Sequence, residues 1–121
     1  MSNKKVETAV RYLVDFGPKK RSVLRNQVQL CKRESSAKGI AVVEEFIDSS
    51  ENMHRPRLTD AVEYCIKHGI DYLLIPSDAC IGGSQIHLDC KHANIIDQGV
   101  DPIILSDDEA LGITSNEYAG T

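Results

Sequence analysis

The spacing of hydrophobic positions changes several times along the chain, and each change marks an element. Val6, Thr8, Val10, Tyr12 and Val14 alternate with their neighbours, a period of two that predicts a first strand. A turn-rich basic loop over residues 15–21 follows. Ser22 is placed to cap a helix over Val23 to Lys38, with Leu24, Val28 and Cys31 on one face and Gly39 as its stop. Ile40 to Ile47 reads as a second strand, and residues 48–54 as a polar loop without periodicity. Pro56 suits a first helical turn, where its missing N–H has no partner to lose. Leu58, Val62, Cys65 and Ile66 then form an apolar helical stripe that ends at Gly69. The nearly unbroken apolar run over residues 71–76 predicts a strand covered on both faces. Ser84 is positioned to cap another helix to about Gln98, with Leu88, Ile95 and Ile96 as its apolar set, and residues 101–105 make a fourth strand entered through Pro102. Signals after residue 105 are weak.

Strands alternating with helices imply an α/β fold: a mostly parallel sheet of four strands, or slightly more, with helices on both faces. A chain of 121 residues, without repeats or linkers, builds one domain. In such sheets ligands gather beyond the carboxyl ends of the strands, so residues 77–84 are the first candidate site. The N-terminus lacks the apolar stretch of a signal peptide, which predicts a cytoplasmic protein and no membrane partner. Four cysteines without a CxxC pair read as reduced, mostly buried thiols.

Charge sharpens this picture. The net charge is −4, yet residues 1–38 carry ten Lys and Arg against three acidic residues, a balance of +7. The remaining chain carries four against fifteen, a balance of −11. The basic half points to a polyanion, the acidic half to a protein partner, and solvated helix faces would also give such a split.

Motifs exclude more than they assign. There is no GxGxxG or GxxxxGK[ST] phosphate loop, so no nucleotide cofactor is expected. Gly82-Gly83-Ser84 reads as a turn feeding a cap more readily than as an anion site. His87, Cys90 and His92 do not share one helical face, so no metal site is expected there.

Taken together, several segments resemble the catalytic domain of the serine recombinases, the resolvase/invertase family. These are Tyr12-Leu-Val, Val23-Leu-Arg-Asn-Gln27, residues 39–48, Arg55-Pro-Arg-Leu58, His68 to Ile75, residues 95–101 and the tail 113–120. The resemblance implies a resolvase-like domain over residues 1–121, ending where the family's long dimerisation helix would begin and without its DNA-binding domain. Its active-site pattern is broken. The family's nucleophilic serine would fall at Phe16 and an arginine at Val14, and of its Asp-Arg-x-x-Arg only Asp78 remains, followed by Ala79 and Gly82. Gln27, Arg55 and Asp78 are the matching remnants. Without the nucleophile and the arginines that offset phosphoryl charge, the chemistry has no route. The resemblance thus implies a catalytically inactive domain that binds DNA or protein and regulates recombination, with Lys19, Lys20, Arg21 and Arg25 as the DNA contacts. An active domain using a displaced serine, Ser22 (or Ser49) with Arg21, Arg25 and Arg55, is the alternative. A protein-interaction domain without nucleic acid is the third.

Overall fold

The computed structural model describes residues 5–113. Strand β1 (Thr8–Asp15) leads through a single 3-10 turn at Pro18–Lys20 into helix α1 (Arg21–Lys38). Strand β2 (Ala41–Ser49), helix α2 (Pro56–His68), strand β3 (Tyr72–Ile75), helix α3 (Gln85–Asp97) and strand β4 (Pro102–Ile104) follow, and a further 3-10 turn spans Glu109–Leu111. The sheet is parallel throughout, in the order β2-β1-β3-β4. The four-stranded α/β architecture expected from the strand–helix alternation is therefore the one found.

Strand β1 lies in the middle of the sheet, which explains its composition. Val10, Tyr12 and Val14 pack on one face with Leu58, Ala61, Val62 and Cys65 of α2 and Leu88 and Ile95 of α3. Ala9 and Leu13 pack on the other with Cys31, Leu24 and Val28 of α1. A strand covered on both sides needs apolar residues at nearly every position, so the alternation at Val6 to Val14 understates its burial. Because β1 and β2 lie on one side of the order and β3 and β4 on the other, the winding reverses between β1 and β3. Their carboxyl ends flank the crevice where open α/β folds place ligands.

Several expectations are corrected. Helix α1 begins at Arg21 with Lys20 as its cap and no capping side chain, because the preceding 3-10 turn delivers the chain two residues earlier. Ser22 is an exposed first-turn residue and not the cap. Ile66 leaves the α2 stripe and is 50% exposed, its place taken by Ala61. Ile96 is likewise exposed. Asp48 and Ser49, expected in a polar loop, end strand β2, and Asp48 is buried. Cys31, Cys65 and Cys80 are buried free thiols, while Cys90 is exposed. Of the tail matched to the family, residues 114–120 lie outside the described residues.

Candidate functional site

The carboxyl ends of β1 and β3 carry Val14 to Phe16 and Pro76 to Asp78, and the remnant residues gather around them. Val14 is fully buried, and Phe16 packs half-buried against two of the three core clusters. Neither position offers a nucleophile or a cation to the crevice.

Gln27 reaches this point from α1. It is fully buried; its Nε2 donates to the Val14 carbonyl at 2.8 Å, and its Oε1 accepts from the Val14 N–H at 2.9 Å. The Cys80 thiol lies against the same Oε1 at 3.6 Å. Burial pushes that thiol up to about 12, so it stays protonated at neutral pH. The amide thus behaves as a strand partner, where β3 last pairs with β1 at Arg11 and Leu74.

Arg55 precedes α2 in a left-handed conformation, the one non-glycine residue with positive φ among those described, at 48°. Its Nε donates to the Cys80 carbonyl at 2.8 Å, and its Nη1 to the Asn52 and Ser50 carbonyls at 3.0 and 3.4 Å. The guanidinium therefore ties the loop after β2 to the loop after β3.

Asp78 opens the 3-10 turn Asp78–Cys80 beyond β3, and its backbone carbonyl accepts from the Ile81 and Gly82 N–H groups. Its Oδ1 faces His92 Nε2 at 3.3 Å, an ion pair when the imidazole is protonated but misaligned for a hydrogen bond. His87 lies elsewhere on α3, over Gly83. Among the described residues, no three His, Cys, Asp or Glu side chains converge as metal ligands would.

The basic residues separate into a different place. Lys19, Arg21 and Arg25 are exposed, and Lys20 is half-buried. Arg21 and Arg25 line a groove along α1 with Leu24, Val28, Gln29 and Lys32. Lys32 joins them because seven residues are nearly two helical turns, a spacing present in the sequence but outside the basic run at residues 19–25. Arg55 does not join them: it is buried where α2 begins, on the other face of the sheet. The displaced-serine arrangement is therefore not assembled, and the Ser22 hydroxyl has no hydrogen-bonded base among the described residues. The Ser49 hydroxyl accepts from the Glu51 N–H and has no base either.

Asp48 is the polar residue that sequence reasoning missed. Its carboxylate accepts from the Tyr12 hydroxyl at 2.7 Å and from the N–H groups of Arg57 and Leu58 at 3.0 and 3.2 Å. It caps α2 from a neighbouring strand, which no local cap pattern reveals. Burial, then the bond to Asp48, raises the Tyr12 phenol well above its ordinary range.

No protein-family model and no curated protein matches the sequence. Among solved structures, the C-terminal catalytic domain of ISC1926 TnpA, an IS607-like serine recombinase, is similar with a TM-score of 0.68. The likeness covers 87% of this chain and 74% of that one at 20% sequence identity. No helix among the described residues is long and apolar enough to cross a membrane. The layers, the strand order and this likeness together give the chain the fold of a serine recombinase catalytic domain.

Proposed function

We propose that this domain keeps the recombinase fold without its chemistry and acts by binding DNA, using the basic surface of Lys19, Lys20, Arg21 and Arg25. The observation that carries this reading is the end of β1, where Val14 and Phe16 are packed into the core. A phosphoryl transfer needs a nucleophile there and cations around the phosphate. Ala79 and Gly82 supply no cation after β3, and three of the donors on Arg55 are already taken by carbonyl groups. Arg21 and Arg25, by contrast, form no ion pair with any described residue and are available to phosphates. Such a module would regulate recombination by occupying DNA that it cannot cut.

Fluorescence anisotropy with a short labelled duplex at several salt concentrations tests the binding. The affinity should fall steeply with salt, because each neutralised phosphate releases counterions. The triple variant K19A/K20A/R21A should bind more weakly on every sequence, with the log–log salt slope reduced by about 1 for each phosphate no longer neutralised. A nicked recombination-site duplex should give no covalent adduct, and a Ser22-dependent adduct would overturn the reading. Absence of binding even at low salt would move the function to protein partners, for which the balance of −11 beyond residue 38 is the supporting feature.

A further inference from the structure

We propose that the groove along α1 is a docking site for an acidic amphipathic helix of a partner protein. Its floor is apolar. Leu24 and Val28, one helical turn apart, line it half-buried and pack at the edge of the core beneath α1. Ile47 pairs in register with Leu13 of the same core, so it lies on that face of the sheet, and it is 41% exposed. The opposite flank of α1 is covered, since Asn26 donates to the Leu111 carbonyl and Leu30 packs with Leu111. Toward β2, the edge of the sheet, no further helix covers this face among the described residues.

The rim is basic. Arg21, Arg25 and Lys32 stand on one stripe of α1 over a length of about 16 Å, at about 1.5 Å per residue. None of them forms an ion pair with a described residue, and no acidic residue lines the groove. Glu45, on the same face, is already bound by Arg11 at 2.7 Å. A groove of about 380 Å³ with three cations over an apolar floor suits a ligand that is anionic and apolar at once. Phosphodiesters alone leave Leu24 and Val28 uncovered, and a flat anionic bilayer does not reach half-buried side chains below a rim of long cations. A helix with apolar residues one turn apart and carboxylates beside them meets both features, laying its ridge into the groove. An extended partner added to β2 fits less well, because the Glu44 carboxylate already takes the Glu45 N–H of that strand at 2.9 Å. Arg21 and Arg25 also belong to the DNA surface proposed above, so helix and DNA would exclude each other. The docking itself does not rest on DNA being bound.

Fluorescence anisotropy of the full chain with a labelled Leu/Glu amphipathic peptide of about five helical turns tests the site. A scrambled peptide of the same composition, with equal charge but no apolar face, is the control. The amphipathic peptide should saturate at micromolar concentration and the scrambled one bind at least about tenfold more weakly. The diagnostic variant is Val28→Lys, which adds a cation but removes the floor. Peptide binding should weaken about tenfold, while a duplex should bind no more weakly than before. Ile47→Lys, at an exposed position where the fold is not at stake, should weaken the peptide in the same direction. Equal binding of the two peptides, tighter peptide binding by both lysine variants, or no binding at all would each overturn the proposal. So would a preference for phosphatidylserine vesicles over the peptide, or a self-association of the chain that excludes it. A duplex that fails to bind where the amphipathic peptide succeeds would remove the DNA reading and leave the docking site standing.

Discussion

At Gln27 one side chain does the work of a neighbouring strand. Its amide satisfies both the N–H and the carbonyl of Val14 inside the core, a place that water does not reach. Gln27→Ala should therefore leave two buried backbone groups unpaired and cost about 3 kcal/mol. Denaturant unfolding would show it as a lower midpoint at an unchanged slope, and a loss below about 1 kcal/mol would mean that other partners had moved in. Arg55 is engaged in a similar way, by three carbonyls from two loops. The resemblance in sequence led both positions to be expected at an active site, yet a sequence does not say whether a polar side chain faces a ligand or its own backbone. That depends on where the β2 and β3 loops come to rest, which is settled by long-range packing.

Helix α2 shows what an element-level pattern carries and what it loses. Its start at Pro56 and its end at Gly69, which is left-handed at φ 61°, are both local and both legible. The stripe was legible too, except for its edge. Cys65 and Ile66 are adjacent on the helix, and only the position of β2 and β3 beneath it determines which of them is covered. Ile66→Lys should accordingly change stability by no more than about 0.5 kcal/mol, whereas Leu58→Ala should cost about 2–5 kcal/mol. Thermal unfolding of the two variants side by side checks the assignment, and a large loss from Ile66→Lys would contradict it. Asp48 marks the opposite failure. It caps α2 from eight residues before the helix begins, and a cap of that kind has no sequence signature.

For the molecule as a whole, the buried thiols set an alkaline limit. Burial pushes Cys31 and Cys80 up to about 12 and Cys65 up to about 11, from 9.0. Above pH 9 the unfolded chain releases these protons while the folded chain keeps them, so the unfolded state binds fewer protons and stability falls as pH rises. Each thiol should contribute a slope approaching about 1.4 kcal/mol per pH unit between pH 9 and its folded value. Tyr12, shifted up as well, adds to the slope above pH 10. Urea unfolding at several pH values under reducing conditions measures it, and a flat profile from pH 8 to 10.5 would show that the thiols are not buried as described. Iodoacetamide should modify Cys90 first, since it alone is exposed. Sequence by itself determined the order of strands and helices and, from that order, a parallel sheet between helices, because period, caps and glycine stops are properties of neighbouring residues. That Val14, Phe16, Ala79 and Gly82 offer neither a nucleophile nor a cation was equally legible. Tertiary structure alone decided the order β2-β1-β3-β4, the engagement of Gln27 and Arg55 with backbone groups, and the separation of Arg55 from Arg21 and Arg25. Each of these joins residues far apart in the chain, and only the packing of helices on both faces of the sheet brings them within reach.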